Sequence, residues 1–237
     1  MMFRAALSAL WLLAAPAVAC EQITHRDARF TVCEVAPEER IELFLRDDAG
    51  DILGAFSSVQ TRVEGTVVMA MNAGMYHDNR RPVGLYIEDG IQQAPIVTRE
   101  GPGNFGLLPN GVFCLRGDRA DVIESRAFAA DPPACIDATQ SGPMLVIDGA
   151  LHPRFLPDST SRNIRNGVGT SADGQRVVFA ISDDAVTFHQ FGTLFRDILG
   201  LQNALYFDGR ISRLYAPSVG RNDFGLPMGP IVAVIAD

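Results

Sequence analysis

The 237-residue sequence predicts an α+β fold, a single domain with a large mixed, mainly antiparallel β-sheet core flanked by a few helices. Three observations support this prediction. Apolar runs of strand length recur along the chain, and turn signals containing glycine separate many of them. Only one segment has the clear apolar spacing of an amphipathic helix. No internal repeat, low-complexity tract or linker divides the chain, so the strands and helices belong to one domain.

The N-terminus has the features of a secretory signal peptide over residues 1–19. An apolar stretch from Ala5 to Val18 follows Arg4, and Ala17-Val18-Ala19 forms a small-residue cleavage site. The stretch is shorter than the roughly 20 residues of a spanning helix, and no later segment is apolar enough to cross a membrane. We therefore expect a domain over residues 20–237, periplasmic or secreted, without a transmembrane segment.

Four cysteines remain after the predicted cleavage, which suits an oxidising compartment. Pairing by neighbourhood joins Cys20 to Cys33 and Cys114 to Cys135, although two other connectivities remain possible. Alternatively, Cys20 could be the lipidated first residue of a lipoprotein. Ala17 fits that alternative poorly, because lipoprotein signals favour leucine there.

The first half of the domain is predicted to contain mostly strands. Arg29–Val35 and Arg40–Leu45 alternate in polarity and are predicted to form a hairpin near Pro37. The glycine-rich loop from Gly101 to Gly106 lacks a following helix and is interpreted as a plain connection. The remaining elements are a short helix in the ambiguous segment 57–64, a buried strand over Val67–Met71 and a strand over Val83–Ile87 that turns and returns from Ile91.

The second half contains further strands and the clearest helix. The helix is predicted from Phe188 to Leu199, with Thr187 and Gln190 as a capping box and Gly200 as the stop. The strands are two hairpins, Gly111–Leu115 with Ala120–Glu124 and Val168–Ser171 with Val177–Ile181, and the single strands Pro143–Ile147, Ala204–Phe207 and Ile231–Ile235.

Composition excludes several functions. All 20 basic residues are arginine, which excludes a Schiff-base lysine, a pyridoxal-phosphate lysine and a P-loop. The only tryptophan, Trp11, lies in the predicted leader, so a sugar-binding site would have to stack on tyrosine or phenylalanine. Cleavage removes Arg4 and changes the net charge from −8 to −9, which disfavours nucleic-acid binding. No Gly-x-Ser-x-Gly elbow is present, and no two histidines have metal-ligand spacing.

Three segments place a small polar residue beside glycine at the end of an apolar run: Asn72-Ala73-Gly74-Met75-Tyr76, Gln140-Ser141-Gly142-Pro143 and Tyr206-Phe207-Asp208-Gly209. Each could be an ordinary turn, but together they indicate a site. Asp208 is the best-placed carboxylate, although it could also cap its own turn. Arg165, preceded by Arg162, is the candidate anion ligand, because its planar guanidinium can donate two hydrogen bonds to a phosphate.

From Met69 to the C-terminus, the sequence resembles the phosphodiester glycosidase family, whose best-known members remove N-acetylglucosamine from a phosphodiester-linked sugar. Asn72–Tyr76 matches the family motif Asn-Gly-Gly-Phe-Phe. Three further segments are similar to family motifs: Ser141-Gly142-Pro143 with Asp148-Gly149, Arg165–Gly169, and Asn203–Ser212. One departure is that Arg210 and Ile211 replace two glycines of the last motif, which indicates a subgroup with a different substrate.

The resemblance and the residues together predict an exported hydrolase of a sugar phosphodiester or a related glycosidic bond in envelope or extracellular glycans. We expect four catalytic residues: Asp208 as nucleophile or general base, Arg165 on the phosphate, and Asn72 and Ser141 on substrate hydroxyls or the attacking water. The predicted substrate-binding residues are Gly74, Tyr76, His77, Gly142, Arg162, Gly209, Ser212 and Arg213. No cofactor is required, although Asp208 and Asn72 could hold a divalent cation such as calcium. The alternative is a non-catalytic envelope protein that binds an anionic glycan or a protein partner.

Overall fold

The computed structural model of the protein describes residues 18–208 and 211–237. Strands predominate and helices are short, which confirms the predicted α+β single domain. The strands are β1 Val18–His25, β2 Ala28–Val35, β3 Arg40–Phe44, β4 Thr66–Asn72, β5 Tyr86–Glu88, β6 Ile91–Ala94, β7 Gly111–Leu115, β8 Ala120–Glu124, β9 Asp137–Ser141, β10 Met144–Ile147, β11 Ala150–Leu151, β12 Asn166–Thr170, β13 Val177–Ser182, β14 Asn203–Tyr206, β15 Leu214–Ala216, β16 Arg221–Asn222 and β17 Ile231–Ala236. The helices are α1 Phe56–Arg62, α2 Ser125–Ala130 and α3 Phe188–Thr193, which continues as a π-helical turn over Leu194–Ile198; a 3-10 turn covers Pro217–Val219.

The strands form three sheets. Sheet 1 has the order β1-β2-β13-β12-β14-β10-β11, sheet 2 the order β16-β15-β4-β17-β3, and sheet 3 the order β6-β5-β9-β7-β8. Every strand pairing within the described residues is antiparallel. The fold therefore brings three sheets together, and each contributes one face to a common interior.

The inner faces of the three sheets share one apolar core. Phe113 of sheet 3 lies edge-on to Phe179 of sheet 1, with ring centroids 5.8 Å apart, and 6.3 Å from the ring of Phe207. Residues of sheet 2, such as Val232 and Val234, complete this core. Alternate residues of the same strands face outward and are also buried, which explains why these strands have continuous apolar sequences.

Each outer face is covered by one short helix. Phe56 and Val59 of α1 pack on sheet 2, and Phe128 of α2 packs on sheet 3. Phe191 of α3 and Phe195 of the following π-helical turn pack on sheet 1. A helix of six or seven residues is too short to be stable alone, so these helices depend on this packing.

The predicted hairpin near Pro37 is wrong. The two segments are strands, but β2 pairs with β1 and β13 in sheet 1, whereas β3 pairs with β17 in sheet 2. The connection around Pro37 therefore passes from one sheet to another. Alternating polarity predicts that a segment is a strand, but it does not identify the partner strand, and the partner β1 was not predicted at all.

The predicted helix begins at Phe188, and the Thr187 side chain accepts a hydrogen bond from the Gln190 backbone N–H over 3.1 Å. The Gln190 side chain makes other contacts instead of a capping box: its Nε2 donates to the Arg26 carbonyl over 2.8 Å, and its Oε1 accepts from Arg162 Nη1 over 3.4 Å. Leu199 N–H bonds to Leu194 O, and Gly200 has a φ of 66°, which ends the helix as predicted.

Both predicted disulfides are present. Cys20 and Cys33 face each other across β1 and β2, and Cys114 of β7 is bonded to Cys135. Residues 1–17, most of the predicted signal peptide, lie outside the described residues, and β1 begins at Val18, within the predicted cleavage site Ala17-Val18-Ala19. Within the described parts of the chain, no helix combines the length and the apolar character needed to cross a membrane.

Candidate active site

The three glycine-containing segments come from three different sheets and meet at one junction. Strand β4 of sheet 2 ends at Asn72, β9 of sheet 3 ends at Ser141, and β14 of sheet 1 ends at Tyr206, two residues before Asp208. Side-chain hydrogen bonds join the three segments. The junction is therefore a rigid support under Asp208.

Asn72 joins sheets 1 and 2 and has no exposed surface. Its Oδ1 accepts a hydrogen bond from the Arg213 backbone N–H over 2.8 Å. Its carbonyl oxygen accepts a 3.0 Å bond from Nδ2 of Asn166 on β12, and its own Nδ2 lies 3.4 Å from Asn166 Oδ1. The Asn72 side chain is thus occupied by contacts with the protein that hold the chain just beyond Asp208.

Two hydroxyl groups hold the backbone around Asp208. Ser141 Oγ, which is fully buried, donates a hydrogen bond to the Phe207 carbonyl. Ser212 Oγ lies 3.0 Å from the Asp208 carbonyl oxygen and 3.2 Å from Asn166 Oδ1. The carbonyl before Asp208 and its own carbonyl are therefore both fixed, the first by Ser141 of sheet 3 and the second by Ser212 in the connection before β15.

A cleft of about 290 Å³ lies beside this junction, and Asp208 forms part of its wall. Among the predicted catalytic residues within the described chain, Asp208 alone lines this cleft, and it is half-buried. Of the predicted substrate-binding residues, Tyr76 and His77 line it as well. The full lining is Tyr76, His77, Asp78, Arg80, Asp208, Ile211 and Leu226.

Asp208 lies within electrostatic reach of two tyrosine hydroxyls. Burial, together with the negative charge of Asp208, raises the pKa of Tyr76 to about 12. Burial also raises the pKa of Tyr206 to about 12; the nearby Arg165 opposes this shift and Asp208 adds to it. Both hydroxyls therefore keep their protons at neutral pH and are available as hydrogen-bond donors near the carboxylate.

Arg165 lies behind Tyr206 and outside the cleft wall. It is 1% exposed, its Nε donates to the Val186 carbonyl over 2.9 Å, and its guanidinium carbon lies 3.6 Å from the centroid of the Phe188 ring. The same carbon lies 5.5 Å from the centroid of the Tyr206 ring. Burial lowers the pKa of Arg165. Arg165 and Asp208 thus both lie near Tyr206.

Two of the predicted substrate-binding glycines are packing positions. A Cβ on Gly74 would lie 2.2 Å from Thr139 Oγ1 of β9, and a Cβ on Gly142 would lie 2.6 Å from Cβ of Asn110. These glycines let the strand ends approach one another. Gly209 lies outside the described residues.

The two remaining predicted arginines have different surroundings. Arg213 is 8% exposed, its side chain donates to the Leu226 carbonyl, and burial lowers its pKa. Arg162 is exposed and lies 3.4 Å from the Ala185 carbonyl and from Gln190 Oε1. Arg213 therefore supports one cleft wall from behind, whereas Arg162 is tied to the start of α3.

Two charged residues of the cleft, Asp78 and Arg80, were missed by sequence reasoning. Both belong to the loop from Tyr76 to Pro82. An isolated β-bridge between Tyr76 and Pro82 closes this loop. Arg80 has a φ of 67°, and its guanidinium lies 5.4 Å from the centroid of the Tyr76 ring. Their position just after the Asn72 segment, next to His77, was the signal that could have identified them.

Within residues 18–208 and 211–237, no group of three or more His, Cys, Asp or Glu side chains could hold a metal ion. The divalent-cation site considered from Asp208 and Asn72 therefore stays a prediction from the sequence.

In comparisons with known proteins, residues 65–224 match the family model described as phosphodiester glycosidase. The Escherichia coli (strain K12) protein named "Uncharacterized protein YigE" is 36% identical over 212 residues, which cover 87% of this chain and 83% of that protein. The zebrafish N-acetylglucosamine-1-phosphodiester alpha-N-acetylglucosaminidase catalytic domain, auto-inhibited by its pro-peptide, has a TM-score of 0.64 at 13% identity, covering 94% of this chain and 85% of that one. A candidate exported protein of Burkholderia pseudomallei K96243 has a TM-score of 0.59 at 11% identity, covering 88% and 74%. The last two likenesses concern the fold.

Proposed function

Because the chain belongs to the phosphodiester glycosidase family, we propose that it is an exported hydrolase that cleaves a sugar phosphodiester or a related glycosidic bond in envelope or extracellular glycans. The observation that carries the proposal is the cleft that Asp208 lines together with Arg80 and other residues of the Tyr76–Pro82 loop. Export is supported by the predicted leader over residues 1–19 and by two disulfides, which persist in oxidising compartments.

Asp208 is the proposed nucleophile or general base. It follows the buried strand β14 and lines the cleft, and the hydroxyl groups of Ser141 and Ser212 bond to the backbone carbonyls of Phe207 and Asp208. A carboxylate fixed in this way can attack the anomeric carbon or take a proton from a water without reorganising. Asn72 and Ser141 act in this proposal as positioning residues, because their side chains bond to protein atoms under the cleft.

The negative charge of a phosphate leaving group requires a cation. Arg80 lines the cleft and is proposed to contact the phosphate oxygens directly through its planar guanidinium. Arg165 is proposed to act from behind the Tyr206 ring, where its buried charge favours the developing negative charge. Tyr206 keeps its proton and is proposed as the hydrogen-bond donor beside Arg165 and Asp208.

Glycoside cleavage usually employs a second carboxyl as general acid. Asp78 lines the same cleft as Asp208 and is the carboxyl that we assign to this role. His77, beside it, is proposed to bind the sugar together with Tyr76. If the leaving group is a phosphate, which is already stable as an anion, the loss of Asp78 should matter less than the loss of Asp208.

One observation favours the alternative of a glycan-binding protein without catalysis. Ile211 forms part of the cleft wall at a position where the family motif has glycine, so a bulkier side chain lines the cleft there. Binding of glycosyl phosphates without release of product, across a substrate panel, would support this alternative.

The test uses the purified mature protein with an α-linked N-acetylglucosamine phosphodiester, chosen because the zebrafish structural neighbour is named for that bond. We expect release of free sugar, a loss of kcat of about a hundredfold or more in Asp208→Asn, and an increase in KM in Arg80→Gln. The matched control is Asp158→Asn, since Asp158 is exposed and lies away from the cleft lining. Full activity of Asp208→Asn would refute the assignment of the nucleophile.

A further inference from the structure

A second hollow, of about 380 Å³, lies on the other side of the Tyr76–Pro82 loop from the Asp208 cleft. Its polar lining is Arg46, His77, Asn79, Arg81 and Gln93, and its apolar lining includes Leu45 and Val83. The volume is larger than that of the Asp208 cleft, and nothing in the proposed chemistry uses it. These residues define what we call the basic hollow.

The charge of the basic hollow differs from that of the molecule. The protein has a net charge of −8, yet the residues that line this hollow include two arginines and no carboxylate. Arg46 donates to the Gly50 carbonyl over 2.6 Å, and within the described residues neither Arg46 nor Arg81 forms an ion pair. Neither guanidinium group is therefore held by a carboxylate in the part of the chain that the structure describes.

The donors of the hollow are complementary to an anionic, hydroxylated ligand. Arginine guanidinium groups donate paired hydrogen bonds to phosphate or carboxylate oxygens. The side-chain amides of Asn79 and Gln93 donate and accept, as the hydroxyl groups of a sugar require. An anionic ligand would gain the attraction of both arginines, which a neutral or cationic ligand would not.

The two hollows are adjacent. His77 lines both, and its backbone N–H bonds to the Arg81 carbonyl over 2.9 Å across the loop that separates them. A ligand longer than one sugar could therefore reach from Asp208 past His77 to Arg81. The loop is short and internally hydrogen-bonded, so its two faces hold a fixed relation to each other.

We propose that the basic hollow is a second binding subsite, which takes an anionic sugar unit of an extended glycan whose scissile bond lies in the Asp208 cleft. The anionic group is a phosphate or a uronate carboxylate, which share the chemistry that arginine recognises. The inference rests on the proposed function for the position of the scissile bond, but binding at the subsite does not require turnover.

The experiment is isothermal titration calorimetry on the intact mature protein with three probes: N-acetylglucosamine 6-phosphate, digalacturonic acid and neutral diacetylchitobiose. We expect at least one anionic probe to bind at least about tenfold more tightly than the neutral probe, and added salt to weaken it. Arg46→Gln with Arg81→Gln should reduce the affinity for that probe about tenfold or more. Arg81→Gln alone, which removes no hydrogen bond from the folded protein among those described, should reduce it by about threefold or more.

The matched control is Arg99→Gln, which removes one exposed arginine that lines neither hollow. Equal losses in the control and in the Arg81 variant would overturn the inference, as would equal affinity for neutral and anionic probes. The two anionic probes distinguish phosphate from carboxylate. If the protein hydrolyses nothing and the arginine variants still lose affinity for the anionic probe, the subsite stands and the proposed hydrolase fails. If the protein hydrolyses the phosphodiester and the arginine variants bind the anionic probe as the natural protein does, the hydrolase stands and the subsite fails.

Discussion

Asn72 shows how a polar residue at a strand end can matter without touching the cleft. It is fully buried and uses Oδ1 and Nδ2 to hold Arg213 and Asn166. We expect Asn72→Ala to lower the free energy of unfolding by about 1–3 kcal/mol, since it leaves the Arg213 N–H buried without an acceptor. Activity should fall through kcat more than through KM, because the backbone after Asp208 loosens while the cleft lining is unchanged. Denaturation curves and steady-state kinetics provide the measurement.

A suitable control for that substitution is Asn222→Ala, because Asn222 is exposed on the edge strand β16. It should change the unfolding free energy by less than about 0.5 kcal/mol. Equal effects of the two substitutions would contradict the role assigned to Asn72.

Gly74 is required for close packing between two sheets. An added Cβ would lie 2.2 Å from Thr139 Oγ1 and 2.6 Å from the Gln140 carbonyl oxygen, closer than unstrained contacts allow. We expect Gly74→Ala to cost about 1–3 kcal/mol of stability, because β4 and β9 must move apart. Gly101→Ala is the comparison, since a Cβ there meets nothing closer than 3.9 Å. Thermal unfolding of the two variants decides the point, and a Gly74 variant as stable as the Gly101 variant would contradict the packing argument.

At the scale of elements, the two disulfides hold strands with different exposure. Cys20–Cys33 fixes the edge strand β1, in which every residue is at least partly exposed, whereas Cys114 lies in the fully buried strand β7. Removing Cys114–Cys135 by a double Cys→Ser substitution should cost about 3 kcal/mol on loop-closure grounds, whereas Cys20–Cys33 secures an edge strand that can open locally without unfolding the domain. We expect the loss of Cys20–Cys33 to raise hydrogen exchange mainly in β1 and β2, and the loss of Cys114–Cys135 to lower the global unfolding free energy. Hydrogen exchange with mass spectrometry separates the two; a global effect from both would contradict the prediction.

Elements were predicted from the sequence where the signal was local. The helix at Phe188 was found because Thr187, the apolar spacing and Gly200 all lie within one short stretch. The hairpin at Pro37 failed because β2 pairs with the preceding strand β1 and with the distant β13, whereas β3 pairs with the distant β17. Strand partners depend on long-range packing, which a local pattern does not encode.

The same distinction applies to the whole molecule. Asn72, Ser141 and Asp208 were identified as strand ends, and the structure brings these ends together from three sheets. The cleft residues Asp78 and Arg80 were not identified, because the loop that carries them acquires its function only where it meets Asp208. Local chemistry predicted the support of the candidate site, whereas the cleft wall depends on how the sheets pack.

Two buried groups should govern how the stability of the whole protein depends on pH. Burial lowers the pKa of His152 below its ordinary value of 6.5, so the unfolded chain takes up a proton there before the folded protein does. Stability is therefore expected to fall as the pH drops below 6.5. On the other side, burial raises the pKa of Asp137 to about 7, helped by the negative charges of Asp89, Glu42 and Glu88.

Asp137→Asn isolates the second of these effects. In the folded protein Asp137 keeps its proton up to about pH 7, whereas in the unfolded chain it loses the proton near 3.8, so stability declines as the pH rises between these values. Asparagine retains the acceptor for the Asp89 N–H, which lies 3.1 Å from Asp137 Oδ1, and cannot ionise. At pH 8 the variant should be more stable than the natural protein by on the order of 3 kcal/mol, and the difference should shrink toward pH 4. Urea unfolding at pH 4, 6 and 8 measures this, with Asp158→Asn as the exposed control. A stability difference that stays constant across that range would show that Asp137 is ionised throughout, and that the acidic residues around it are neutralised in another way.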